Sequence, residues 1–193
     1  MPSPLDRFMP APEVRERFET AVAAPADLVT RTAYAIDLQS LGPIRAIIRL
    51  RKLLLQGSPD AGPRRPIGLV DEMRELGWGT LVEEPGRLLV CGAVCRPWFG
   101  DVRFTPIPAA EFAGYAEPDL VKIAWSLEAA ETEPGRTLFV HEVRAQATDA
   151  PAAKKFRRYW RWARFGIVAI RLLLLPAIRR QAEREWSAGA PPR

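Results

Sequence analysis

The chain reads as an α+β fold, an antiparallel sheet finished by one long amphipathic helix, and three observations predict it. A helical stretch runs from Ala152 to about Glu185. Two long alternating segments precede it and meet at Glu133-Pro134-Gly135, a turn signal between strands. In the first of these segments Val121, Ile123, Trp125, Leu127 and Ala129 oppose Lys122, Ser126 and Glu128, the pattern of a sheet covered on one face and wet on the other. A sheet wrapped around its own C-terminal helix leaves an apolar hollow between the two.

The remaining elements follow in chain order. A Pro-rich tail over residues 1–12 is expected to be mobile or laid on the surface. Val14 to Val22 alternates, with Phe18, Thr20 and Val22 opposite Arg17 and Glu19, and predicts a first strand. Pro25 stands at a helix start followed by Leu28, Val29, Thr32 and Ile36 at helical spacing, and Gly42-Pro43 opens a second helix with Ile44, Ile47, Ile48 and Leu55 on one side. Ser58 to Pro66 is a loop, and a short helix is expected from about Ile67 to Leu76. Trp78 to Glu83 and Arg87 to Cys95 form a hairpin around Glu84-Pro85-Gly86, as do Leu120 to Ala130 and Arg136 to Ala147 around Glu133-Pro134-Gly135. Pro then Gly presets a type II turn, the ring fixing one φ and the glycine accepting a positive one. The shared Glu-Pro-Gly-Arg is turn chemistry; neither copy has the glycine spacing of a phosphate loop. In the last strand Phe139, His141, Val143 and Ala145 oppose Leu138, Val140, Glu142, Arg144 and Gln146, and the apolar count favours the Phe139 side as inner by a small margin.

A length of 193 residues suits one domain, spanning 13–186, with residues 187–193 expected as a disordered tail. The N-terminal run lacks a secretory pattern, and no apolar stretch reaches the roughly 18 residues that spanning a bilayer needs, so a soluble cytoplasmic protein is expected. The net charge is +5, but only four of the 28 cations are lysines, and an Arg-, Ala- and Pro-rich composition says little about partners. Cys91 and Cys95 lie four apart in one strand, on the same face but about 13 Å from each other. That separation excludes a disulfide within the strand. With one histidine, His141, and no second Cys pair, a structural zinc site lacks ligands, and buried reduced thiols are expected.

In the final helix Phe156, Trp160, Ala163, Ile167, Ile170, Leu174 and Ala177 make a continuous apolar stripe, flanked by Arg157, Arg158, Arg161 and Arg164. From Phe165 to Ile178 the helix is apolar nearly all round except for Arg171. Its outer face over residues 165–178 therefore calls for a loop, a peripheral membrane contact or a homodimer partner. Pro176 removes one backbone donor and predicts a kink near Leu172. The mixture of arginine with Tyr159, Trp160 and Trp162 carries no nucleic-acid motif, and no nucleic acid is expected as a partner.

The element order of strand, two helices, antiparallel strands and long C-terminal helix resembles the START-like, or SRPBCC, superfamily of Bet v 1-type proteins. More narrowly, Gly77-Trp78-Gly79, Glu83-Glu84-Pro85-Gly86-Arg87, Gly92-Ala93-Val94-Cys95-Arg96-Pro97-Trp98, His141-Glu142-Val143-Arg144 and Arg158-Tyr159-Trp160 are similar to an uncharacterised bacterial branch of it. The chain departs from that pattern where Thr-Glu-Thr-Arg is usual and His141-Glu142-Val143-Arg144 stands, which keeps the Glu and Arg but loses the first threonine. The resemblance implies a helix-grip fold, a curved antiparallel sheet of about six or seven strands around the C-terminal helix, with two shorter helices after the first strand. It also implies a cavity for a lipid, sterol, polyketide or other apolar small molecule, with no required cofactor.

Such a cavity binds by removing apolar ligand surface from water, about 25 cal/mol per Å² before ordering costs, while a few polar groups set orientation. Trp98, Ile123, Trp125, Phe139, Trp160 and Ile167 are candidates for its wall, although each position equally suits ordinary core packing. His141, Glu142 and Arg144 are the polar candidates. Adjacent strand residues point to opposite faces, so His141 and Glu142 cannot share a site, whereas Glu142 and Arg144 can. That pair reads either as a surface or rim ion pair or as a grip on a ligand carbonyl or carboxylate. No Ser/His/Asp order, paired-carboxylate motif or cofactor fingerprint appears. Binding or transport of an apolar small molecule is therefore the expected function, with a polyketide cyclase or dehydratase-type enzyme on the same scaffold, or a peripheral membrane or oligomeric interaction protein, as the alternatives.

Overall fold

Two Pro-Gly turns organise the sheet. Gly86 and Gly135 both sit at φ +73°, the left-handed region that glycine enters without a Cβ penalty. They join β2 (Gly79–Glu84) to β3 (Leu88–Cys95) and β4 (Val121–Glu133) to β5 (Arg136–Ala147). The computed structural model describes residues 3–58 and 65–189. Part of the Ser58 to Pro66 loop, and the last four residues of the expected C-terminal tail, lie outside them.

β1 (Val14–Val22) pairs with β5, so the antiparallel sheet has the order β1-β5-β4-β3-β2. Five strands are present among the described residues, where six or seven were expected. The segment between β3 and β4 supplies only the bridge Val94↔Thr105. Pro97, Pro106, Pro108 and Pro118 recur through that segment, and proline cannot donate to a ladder.

α1 (Ala26–Ala35), α2 (Gly42–Leu54) and α3 (Leu69–Glu75) fill the connection from β1 to β2, and the short α4 (Ala109–Phe112) lies between β3 and β4. α5 runs from Ala150 to Gly189, through Pro176, so residues 187–189 extend the helix where a disordered tail was expected. It starts at Asp149, whose carboxylate accepts from the Ala152 N–H at 2.7 Å and satisfies a donor left open at a helix N-terminus. Near its other end Glu183 accepts from the Ala23 N–H, and Thr32 of α1 donates to Glu185. α5 and α2 come close at Gly166, where a Cβ would stand 3.0 Å from the Ile47 side chain. No helix among the described residues is long and apolar enough to cross a membrane.

The expected helix-side alternation of β4 holds, and the inner face of β5 is the Phe139 side. The opposite face is not wet. Leu5, Phe8 and Met9 are buried there with Leu81, Leu88, Val90, Val94, Ala124, Ile107 and Phe112, the rings of Phe8 and Phe112 meeting edge-on at 6.2 Å. Every residue of β3 is consequently buried. Over residues 3–9 the tail is packed into the fold rather than merely laid on the surface, because Leu5, Phe8 and Met9 complete a second core, while Pro10 and Ala11 are exposed. Gly92 marks the fit: a Cβ there would come within 2.6 Å of Leu81 and 2.7 Å of Phe112.

Candidate functional site

Midway along α5 the helix stands off the sheet and leaves a hollow of about 560 Å³. That volume lies within the range of about 300–1,000 Å³ typical of small-molecule pockets. Its sheet side is Ile123, Trp125 and Leu127 of β4 with His141, Val143 and Ala145 of β5, and its helix side includes Phe156, Trp160, Ile167, Ile170 and Leu174. Leu38, Ile48, Leu69, Met73, Trp78 and Phe104 close the flank. Ile123, Ile167 and Ile170 border the hollow and are only part-buried. Either end of the helix packs closely. Phe156, Tyr159 and Ala163 are buried with Val121 and Ala145, and Leu174, Leu175, Ile178 and Ala182 with Val22, Val29, Ala33 and Phe139.

Aromatic rings line one wall in sequence. Trp78 lies 4.6 Å from Phe104 and meets Trp125 edge-on at 6.0 Å, and Trp125 in turn is 6.3 Å from the His141 ring. Five of the predicted residues, Ile123, Trp125, His141, Trp160 and Ile167, are therefore brought together around the hollow. Phe139 shares their face but is sealed in the core at 1% exposure, and it does not line the space. Trp98 does not line it; it packs against the cluster of Val121, Ala145, Phe156, Tyr159 and Ala163, with the Lys155 ammonium 5.5 Å over its ring.

Glu142 and Arg144 correct both readings of that pair. They lie on the opposite face of β5, so they neither grip a ligand in this hollow nor form a rim pair. They are buried, at 0% and 1% exposure, beneath the N-terminal segment. Arg144 Nε donates to Glu142 at 2.7 Å, Nη1 to the Met9 carbonyl at 2.6 Å and Nη2 to Asp6 at 2.6 Å. Arg15 and Arg17 reach Glu142 from β1 at 3.0 and 3.2 Å. Desolvation pushes the Glu142 carboxyl up, but its bonds with Arg144, Ser3 and Arg17 outweigh that and hold it below the usual range. The knot fastens residues 3–9 to the sheet. Its buried charges are costly to separate, which is why tail and strand stay together.

The hollow is sparse in polar groups, with Arg51, Lys52, Asp101, His141 and Arg171 as the charged or titratable side chains on its largely apolar lining. His141 Nδ1 lies 2.9 Å from the Ser126 carbonyl, which can only accept, so Nδ1 carries the proton and Nε2 is an acceptor. Burial, with the nearby Arg171 charge, lowers the His141 pKa to about 3, and the ring is neutral at physiological pH. Arg51 also lines the hollow, but its guanidinium is engaged by the carbonyls of Pro97, Phe99 and Gly100 and by the Tyr159 hydroxyl. Arg171 differs. Its Nη1 donates to the Ile167 carbonyl at 2.7 Å, while its Nε is buried without an acceptor. Desolvation lowers its pKa to about 10, against the opposing pull of Glu16, so it stays a cation. Glu16 stands on the inner face of β1 opposite Val143, and its Oε2 is likewise buried without a partner. Burial raises the Glu16 pKa despite the charges of Arg171 and Arg164.

Cys91 and Cys95 are both buried, free of any disulfide and on the inner face; burial pushes each thiol up to about 12, and Cys95 borders the hollow. Arg171 is the residue that sequence reasoning placed in no site. Its signal was present as the lone cation in an apolar run, four residues after Ile167 and three before Leu174, on the flank of the inward stripe.

An antiparallel sheet gripping a long C-terminal helix, with a hollow between them, defines a helix-grip arrangement. No protein-family model matches the chain, and no curated protein matches it. Among solved structures, the crystal structure of CalU16 from Micromonospora echinospora is similar over 90% of this chain and 86% of that chain, at 15% identity and a TM-score of 0.28. A likeness of that depth carries no functional argument.

Proposed function

We propose that this chain is a START-like helix-grip protein that binds or carries an apolar small molecule, such as a lipid, sterol or polyketide, in the hollow beneath α5. The single observation carrying this reading is the hollow of about 560 Å³ with an almost wholly aliphatic and aromatic wall and few polar groups. A space of that kind gains free energy by taking apolar surface out of water. The test is organic extraction of the purified protein followed by mass spectrometry, together with uptake of an environment-sensitive fatty-acid probe. Wild type retains an apolar molecule or takes up the probe, and Ile123→Trp, which fills the space, does neither. Equal uptake by both proteins would place binding elsewhere.

The cyclase or dehydratase alternative needs an ionisable group acting in the same space. A neutral His141 with so low a pKa is a weak base, so the binding reading is preferred. A second reading, contact with an anionic membrane, draws on a different observation. Leu50, Leu53 and Leu54 of α2 and Phe165 and Leu172 of α5 are exposed at 56%, 75%, 60%, 65% and 61%. Neither helix carries an acidic residue from Gly42 to Leu54 or from Ala150 to Ala182, while Arg49, Arg157, Arg158, Arg161 and Arg164 are exposed on them. Apolar side chains among unopposed arginines suit an interfacial location. Sedimentation with phosphatidylserine vesicles, weakened by salt and by Leu53→Glu with Phe165→Glu, is the expected result. No sedimentation, or a salt-independent homodimer in its place, would remove this reading.

A further inference from the structure

We infer that the ligand is an amphipathic acid, its anionic oxygen head group held by Arg171 and its apolar body lying along the Trp125 wall. The inference rests on the binding function proposed above and names the chemical class of the guest. A guanidinium offers five N–H donors in a fixed fork and favours planar anionic oxygens over neutral ones. Arg171 borders the hollow and keeps one of those donors, Nε, buried without an acceptor, with Nη1 turned back to its own helix at Ile167. A buried donor without a partner costs free energy unless something accepts from it.

The other groups near Arg171 do not take that role. Glu16 does not close on it, since Glu16 Oε2 is itself buried without a partner. The Ser126 carbonyl is occupied by His141. His141 presents a neutral acceptor nitrogen and adds no competing positive charge. The rest of the helix-side wall, from Phe156 through Trp160, Ile167 and Ile170 to Leu174, offers no second cation; on the flank the Arg51 guanidinium is spent on the 97–100 carbonyls and Tyr159, and Lys52 stands beside the Asp101 carboxylate, whose pKa it helps to lower. One guest oxygen is thus directed to one place on the helix-side wall, and the hydrocarbon extends from it along the aliphatic and aromatic lining.

The experiment compares dodecanoate, methyl dodecanoate and dodecanol at pH 7.5, with tryptophan fluorescence from Trp78, Trp125 and Trp160 as the readout on wild type, Arg171→Met and Arg171→Lys. A charge-assisted hydrogen bond should make wild type bind the acid roughly tenfold to a hundredfold more tightly than the ester or alcohol. Arg171→Met should bring the three affinities to within a few-fold of one another while keeping ester binding, and Arg171→Lys should restore part of the preference. Ester or alcohol binding as tight as the acid in wild type overturns the head-group assignment but leaves the hollow as a binding site. Binding of none of the three overturns both. The comparison within wild type decides the matter even if a variant fails to fold.

Discussion

The state of His141 gives the most quantitative prediction, because it is the single histidine in the chain. Its folded pKa is lowered from 6.5 to about 3, so below pH 6.5 the unfolded chain binds a proton that the folded protein refuses. Stability from this group is thus complete above the unfolded value and falls as the pH drops towards the folded one. Each pH unit in that interval removes about 1.4 kcal/mol, so lowering the pH from 6.5 to 4.5 should cost on the order of 2.7 kcal/mol from this residue alone. His141→Asn keeps an N–H for the Ser126 carbonyl but cannot titrate. Denaturant melts of both proteins between pH 7.5 and 4.5 should show wild type losing about 2–3 kcal/mol more than the variant. The lone imidazole resonance in a proton NMR titration should not move between pH 8 and 5. A midpoint near 6.5 in the folded protein, or a pH-independent difference between the two melts, would refute the reasoning.

Four further outcomes are expected from the packing on either face of the sheet. Arg144→Met strands Glu142 in a dry site and should cost about 3–5 kcal/mol, lowering Tm by roughly 6–20 °C, while fatty-acid uptake in the hollow persists; loss of uptake without loss of stability would place the pair in the site after all. Because the Glu142 carboxyl is held below its ordinary value of 4.5, its contribution is present above about pH 4.5 and is lost as the pH falls through the folded value; Glu142→Gln should remove this acid-limb sensitivity, and unchanged acid melts would count against it. Gly92→Val should destabilise by about 1–3 kcal/mol, since its Cβ would meet Phe112 and Leu81, and thermal melts indistinguishable from wild type would show that the second core is looser than described. Cys91 and Cys95 should resist a thiol reagent at pH 8 until denaturant is added, as their thiols are buried and hold their protons to about pH 12; immediate modification of either would contradict that packing.

Local chemistry made much of the fold readable from residues alone. The two Pro-Gly turns, the alternation of β4 and the spacing from Phe156 to Leu174 placed both hairpins and the inward stripe, because each depends on neighbours in the chain. The relation of Glu142 to Arg144 was readable as a shared face, but its burial was not. That depends on Leu5, Phe8 and Met9 crossing the outer face of strands far away in sequence, and a run rich in proline gives no periodicity from which to expect it. Phe139 and Trp98 show the same limit in reverse. Both are aromatic and well placed by pattern, yet whether a ring lines a void or seals a core is decided by how far α5 stands from the sheet at that level. Arg171 stood out as a charge in an apolar run, and its meaning needed the rotation of the helix about its axis, which the stripe defines only to within a flank.

A crystal structure grown with an ω-brominated long-chain fatty acid shows whether the hollow beneath α5 holds a guest. Anomalous signal is expected between Trp125 and Ile170, with the carboxylate towards Arg171 Nε. An interior closed by the protein's own side chains, with no halogen beneath α5, would contradict it.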